Sequence, residues 1–210
     1  MKYLLDSIRK EDNNYSLKRK IINTSIIFIA GILLGLLSKW LDSRSFNNAI
    51  LDYFDLGNFF STMAIWLFMA LAISIYSKSP KRASLNVFLF FLGMTISYHL
   101  YTVLFNGFNP KSYMMIWYGF TILSPLIAFI TWYGKGTSKF SIDIDTIIIF
   151  VMSEACFNSG MWYFDFKGIL YTITFIASLC VIYKDKMNLL ISFVIGMFLS
   201  FILVIPFISG

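Results

Sequence analysis

The stretch KRKIINTSIIFIAGILLGLLSKWLD, residues 18–42, decides the fold. Three cations, Lys18, Arg19 and Lys20, stand before an apolar run from Ile21 to Leu37, which closes on Ser38, Lys39, Trp40 and Asp42. About 20 apolar residues in a helix cross a hydrocarbon layer about 30 Å thick. A secretory signal would start nearer the N-terminus and end on a small-x-small cleavage site. This run does neither, so it reads as an uncleaved first transmembrane helix.

Outward from that stretch the same pattern repeats. Apolar blocks cover residues 21–39, 59–77, 84–106, 113–134, 144–164, 168–183 and 188–208. Of the 210 residues 58% are hydrophobic and 13% charged, against roughly a quarter charged in a soluble domain. There is too little polar surface to cover a water-facing globule. In lipid the backbone must bond to itself, so each block is expected to be helical. The fold class is therefore all-α: a polytopic transmembrane bundle of about seven helices over residues 21–208. A basic cytoplasmic tail precedes it over residues 1–20, with a short interfacial helix expected over residues 3–9. Ser79-Pro80, Asn109-Pro110 and Gly134-Lys135-Gly136 mark turns between blocks.

Charge orients the bundle. With the N-terminus inside, the inner segments hold thirteen basic residues: Lys2, Arg9, Lys10, Lys18, Arg19, Lys20, Lys78, Lys81, Arg82, Lys135, Lys139, Lys184 and Lys186. The outer ones hold four, Lys39, Arg44, Lys111 and Lys167. Excess Lys and Arg mark the cytoplasmic side, which places the C-terminus outside. This alternation also favours seven spans over six. The net charge of +6 is explained by these turns, and nucleic acid is not expected as a partner. The longest outer connection, 40–58, sets Phe46, Ile50, Leu51, Tyr53 and Phe54 among Asn47, Asn48, Asp52 and Asp55. It reads as an amphipathic segment lying on the outer surface.

A few residues interrupt the apolar blocks. Glu154 falls near the middle of the fifth, where a carboxylate costs several kcal/mol unless it faces the interior and finds a partner. Asn158 follows one turn later, and Asp143 and Asp165 fall near the same helical face. His99, the single histidine, lies in Ser97-Tyr98-His99-Leu100-Tyr101 at a depth close to that of Asn158. These residues, with Trp162 and Lys39, are the candidates for a shared substrate-binding or proton-linked site. Pro125 removes a hydrogen bond inside the fourth block and can kink it. Gly31 and Gly35 form a GxxxG groove suited to close helix packing, within the chain or against another subunit. Cys156 and Cys180 read as small buried hydrophobes, and neither cysteine nor histidine has a metal-ligand spacing. No catalytic metal and no cofactor are expected. Neither a phosphate loop nor a zinc-protease or nucleophile-elbow motif occurs. The last block has no lysine for a Schiff base.

The string Gly-Ile-Leu-Leu-Gly-Leu-Leu-Ser-Lys-Trp-Leu-Asp (31–42), Trp66 and the turn Ser77-Lys-Ser-Pro-Lys-Arg-Ala83 resemble a family of uncharacterised bacterial multi-pass membrane proteins. The resemblance covers about the first half of the chain and implies no activity. A looser similarity is to the substrate-binding subunits of vitamin uptake systems, small apolar bundles that have six helices. Abundant Ile, Asn, Lys and Phe suggests an AT-rich bacterial genome, hence a bacterial plasma membrane.

Three functional readings follow. The leading one is a small-molecule binding or transport component with an outward-opening polar site, working with a membrane partner or as a homo-oligomer among the lipids. The second is an intramembrane enzyme on a lipid or lipid-linked substrate, with Glu154 and His99 as acid and base. The third is a non-catalytic accessory or immunity protein whose working surface is the glycine groove.

Overall fold

The computed structural model describes residues 7–12, 16–43 and 54–203. Its helices are α1 (Leu17–Asp42), α2 (Leu56–Ser61), α3 (Met63–Tyr76), α4 (Pro80–Asn106), α5 (Lys111–Trp132), α6 (Lys139–Cys156), α7 (Ile169–Ile182) and α8 (Lys186–Ile202). A 3₁₀ turn, Tyr133–Lys135, follows α5, and two short strands, β1 (Phe157–Gly160) and β2 (Tyr163–Phe166), stand between α6 and α7. Local chemistry sets several starts. Ser16, Ser79 and Asp185 each accept a first-turn N–H, from Arg19, Arg82 and Asn188, and Pro80 opens α4, where its missing N–H costs nothing.

Three helices are long and apolar enough to cross a membrane: Leu17–Asp42, Pro80–Asn106 and Lys111–Lys135. At 1.5 Å per residue the first two reach about 40 Å. Met63–Tyr76, Ile169–Ile182 and Lys186–Ile202 are apolar but shorter. Residues 3–6 of the expected interfacial helix, 44–53 of the amphipathic connection and 204–208 of the last block lie outside the described residues.

Large apolar side chains are exposed along several helices. Ile21, Ile26, Ile29 and Leu33 of α1 are more than half exposed, as are Ile122, Leu123 and Leu126 of α5. Besides apolar cores, the helix contacts bury small and hydroxyl-bearing residues. Thr95 Oγ1 and Thr121 Oγ1 meet at 3.2 Å between α4 and α5. Ser153 Oγ and Ser200 Oγ meet at 3.1 Å between α6 and α8, and Ser192 Oγ donates to the Ile142 carbonyl at 3.2 Å. Small residues let helix axes approach, and hydroxyls then bond across the seam.

Two cores share α3. Met63 and Trp66 pack with Val87, Phe90 and Met94 of α4 and with Met114 and Trp117 of α5. Leu71 and Ile75 join Ile149 and Met152 of α6, Phe175 and Ile182 of α7, and Phe157 of β1. A helix that is apolar around its circumference can bury two faces, and α3 does so. On its outer flank α4 carries α1. A β-carbon on Gly31 would fall on the Phe90 carbonyl, and one on Gly35 would fall 2.5 Å from the Met94 carbonyl oxygen. The GxxxG groove thus sits against α4 of the same chain.

The second block is broken at Thr62, whose extended backbone separates α2 from α3. The carbonyls freed there are collected by side chains. Thr62 Oγ1 donates to Phe59 O at 3.0 Å, and Trp66 Nε1 and Ser38 Oγ donate to Phe60 O at 3.0 and 3.2 Å. By contrast, α5 runs through Pro125 without ending. The Thr121 carbonyl, which Pro125 cannot serve, accepts Ser124 Oγ at 2.9 Å.

The fifth block departs most from expectation. Its helix starts earlier, at Lys139, and stops at Cys156, and residues 157–166 form an antiparallel hairpin pairing Phe157 with Phe166 and Gly160 with Tyr163. The Asn158-Ser159-Gly160 run is poor in helix propensity, and aromatic residues on β2 favour a strand. Asp165 therefore shares no helical face with Glu154.

Candidate functional site

The expected shared site does not assemble. The Glu154 side chain is fully buried near the end of α6 and accepts Ser159 Oγ at 2.9 Å. Asn158, expected one turn above it, is on β1 instead. Side chains alternate along a strand; Phe157 and Ser159 point in, and Asn158 points out. Trp162 forms the hairpin turn and is 91% exposed, so it lines nothing. His99 lies on α4 in the other half of the bundle. Its Nδ1 meets Tyr118 Oη at 2.9 Å and its Nε2 meets Asn109 Oδ1 at 3.0 Å. Asn109 Oδ1 can only accept, so Nε2 donates to it, while Nδ1 shares the second bond with the Tyr118 hydroxyl. Lys39 is buried, pairs with Asp42 and stands 5.2 Å over the Tyr98 ring.

Lys39 and Glu154 each have a local structural task. Lys39 and Asp42 tie α1 to α4, because Tyr98 Oη donates to Asp42 Oδ2 at 3.4 Å. Glu154 holds the hairpin. Ser159 also meets Ser200 Oγ at 3.2 Å, and Lys167 Nζ donates to the Ala155 carbonyl at 3.3 Å, serving the open end of α6. Partial burial pulls the Lys167 pKa below its ordinary value.

The opposite end of the molecule gathers charge. Arg9 donates to the Trp132 carbonyl at 2.6 Å and the Ile75 carbonyl at 2.9 Å. Lys135 reaches Val181 O at 3.1 Å, and Lys184 reaches Gly136 O at 3.2 Å. Arg82 Nη2 donates to Lys20 O at 2.6 Å and also to Thr24 Oγ1. These bonds join the start of α1, the α3–α4 turn, the α5–α6 turn and the α7–α8 turn. The basic segments that alternate along the sequence meet at one end.

Two features of that end were not singled out from the sequence. Asp145 pairs with Lys184 at 2.8 Å beneath the α5–α6 turn, with Asp145 buried and its Oδ1 lacking any hydrogen bond. Its place at the edge of a block, next to Asp143, was the available signal. The second is a cavity of about 270 Å³ between α1, the end of α3 and the start of α4. Lys20, Lys78 and Arg82 stand on it with one carboxylate, Asp12. Buried Ser77 and Asn86 stand on its floor: Asn86 Nδ2 donates to Ser77 Oγ at 3.2 Å and Asn86 Oδ1 accepts Thr24 Oγ1 at 2.8 Å. A smaller, apolar cavity of about 130 Å³ lies among α3, α4, α5 and α6.

No group of His, Cys, Asp and Glu among the described residues could hold a metal ion. Comparison with protein-family models, curated proteins and solved structures gives no match to this chain.

Proposed function

We propose that the chain is a seven-span protein of a bacterial plasma membrane, N-terminus cytoplasmic and C-terminus external, acting as a small-molecule binding component. In this reading its site is the charged cavity at the cytoplasmic end rather than an outward-opening one. The observation that carries it is the cavity itself: about 270 Å³, three cations against one carboxylate, at the end where all the basic turns meet. Long apolar helices with lipid-like exposure support the membrane part, as do the hydroxyl-lined seams. The hairpin then falls at the outer interface, where exposed Trp162, Tyr163 and Phe166 suit the headgroup layer.

The other readings find less support. An acid–base enzyme needs its two groups in one cleft, whereas Glu154 and His99 lie in different halves and each is engaged by neighbours of its own. An accessory protein using the glycine groove needs that groove open, and α4 fills it.

The test is sidedness. In a background with Cys156 and Cys180 replaced by alanine, cysteine at Lys81 should resist a membrane-impermeant thiol reagent added to intact cells. Cysteine at Lys111 should react. Labelling of position 81 from outside would overturn the orientation and move the cavity to the external face.

A further inference from the structure

We infer that the cavity at the cytoplasmic end binds the phosphate group of an anionic phospholipid of the facing leaflet. This rests on the orientation proposed above and names the ligand class of that site.

The argument begins with donors that the fold leaves unspent. Arg82 commits Nη2 to the Lys20 carbonyl and to Thr24 Oγ1. Its Nε and Nη1 make no hydrogen bond to any described residue. The Lys20 ammonium likewise has no hydrogen bond or ion pair among the described residues, although both side chains line the cavity. Lys78 is paired with Asp12 at 3.0 Å, and about half of each side chain stays exposed. With that pair cancelled, two cations remain uncompensated around one hollow. Arg and Lys offer charge-assisted bonds to a phosphate oxyanion, with the planar Arg fork able to bond two oxygens at once. The first turn of α4 adds a backbone dipole of the right sign.

The cavity walls select the source of the phosphate. One side is apolar, formed by Ile26, Ile27, Ile73 and Tyr76. Ile26 and Tyr76 are also more than half exposed on the flank that the bilayer would cover. A soluble phosphoester gains nothing from that wall, whereas a phospholipid lays its glycerol and first methylenes against it. Basic pockets between helices on the cytoplasmic side suit such headgroups.

The experiment uses the full chain in a neutral detergent and follows thermal unfolding with added phosphatidylglycerol, phosphatidylcholine or inorganic phosphate. Phosphatidylglycerol should raise the melting temperature in a saturable, salt-sensitive way and phosphatidylcholine should not. Lys20→Gln replaces an ammonium that makes no structural bond with a neutral amide. It should keep the melting temperature without lipid and weaken the phosphatidylglycerol effect about tenfold in concentration. Asp12→Asn, which removes the opposing charge, should strengthen it. Equal shifts from the two lipids, or an effect unchanged in Lys20→Gln, would overturn the proposal. A shift reproduced by inorganic phosphate alone would overturn the lipid source and leave the oxyanion chemistry. Detergent micelles have no sides, so the melting experiment reads lipid binding and the labelling experiment reads orientation, and the failure of one is distinguishable from the failure of the other.

Discussion

Asp145 and Lys184 show how a single charge is kept inside the bundle. Removing one partner of a buried pair strands the other, which costs about 3–5 kcal/mol. Asp145 Oδ1 is already without a bond, so Lys184→Met should lower the unfolding temperature sharply. Adding Asp145→Asn to it should restore much of the loss, a coupling that a double-mutant cycle would expose. Additive losses in the cycle would mean that Lys184 acts only through Gly136 and Ser141, its other contacts. Glu154 makes a milder case. Glu154→Gln keeps an oxygen for Ser159, whereas Glu154→Leu leaves the hairpin without that acceptor. Leucine should therefore cost about 1–3 kcal/mol more than glutamine in the same measurement. Equal melting of the two variants would remove Glu154 as the hairpin's anchor.

At the scale of elements the apolar blocks were legible as helices, and three of those helices are long and apolar enough to cross a membrane. Each block carries a helix, and the Ser79-Pro80 and Asn109-Pro110 signals fall where α4 and α5 begin. What was not legible follows from counting apolarity without periodicity. Phe157, Met161 and Trp162 keep the fifth block apolar whether the backbone is a helix or a strand, so Asn158-Ser159-Gly160 was outvoted. Once the helix stops at Cys156, Asn158 turns outward and Trp162 becomes a turn residue, which dissolves the expected site. His99 failed for a different reason. Equal depth in two helices says nothing about which sides they present, and no residue pattern placed α4 and α6 face to face. The glycine groove is legible in kind but not in partner. Because the Met94 backbone stands behind Ser97 Oγ at this spot, turning the serine away does not make room, and Gly35→Ala should push α1 from α4 and cost about 1–3 kcal/mol of overpacking. Thermal unfolding in detergent reads this directly, and an unchanged melting temperature would show that α1 can shift away freely.

For the whole molecule the question is what holds two cores together when α3 is their main shared element. The N-terminal segment supplies an answer at the basic end. Arg9 spans the break: one guanidinium nitrogen bonds the last carbonyl of α5, at Trp132, and another bonds the Ile75 carbonyl near the end of α3. Its Cζ also lies 4.1 Å from the centroid of the Trp132 ring. Alongside, Thr137 N–H donates to the Ile8 carbonyl at 3.0 Å, and Asp12 N–H donates to the Lys78 carbonyl at 3.0 Å. A few residues of tail thus strap the α3–α4 turn to the α5–α6 turn. Burial lowers the Arg9 pKa from its ordinary value, yet an arginine remains charged throughout the accessible range. The strap should therefore hold across pH, unlike one built on histidine. Arg9→Lys keeps the charge but not the planar fork, and cannot bond two carbonyls while stacking on Trp132. Both Arg9→Lys and Arg9→Ala should then destabilise, alanine by about 2–4 kcal/mol from two charged hydrogen bonds and the ring contact. Limited proteolysis should show cleavage near residues 136–138 rising in both variants before global unfolding begins. If lysine proved as good as arginine, the strap would be a matter of charge alone, and the two-carbonyl geometry would carry no stability.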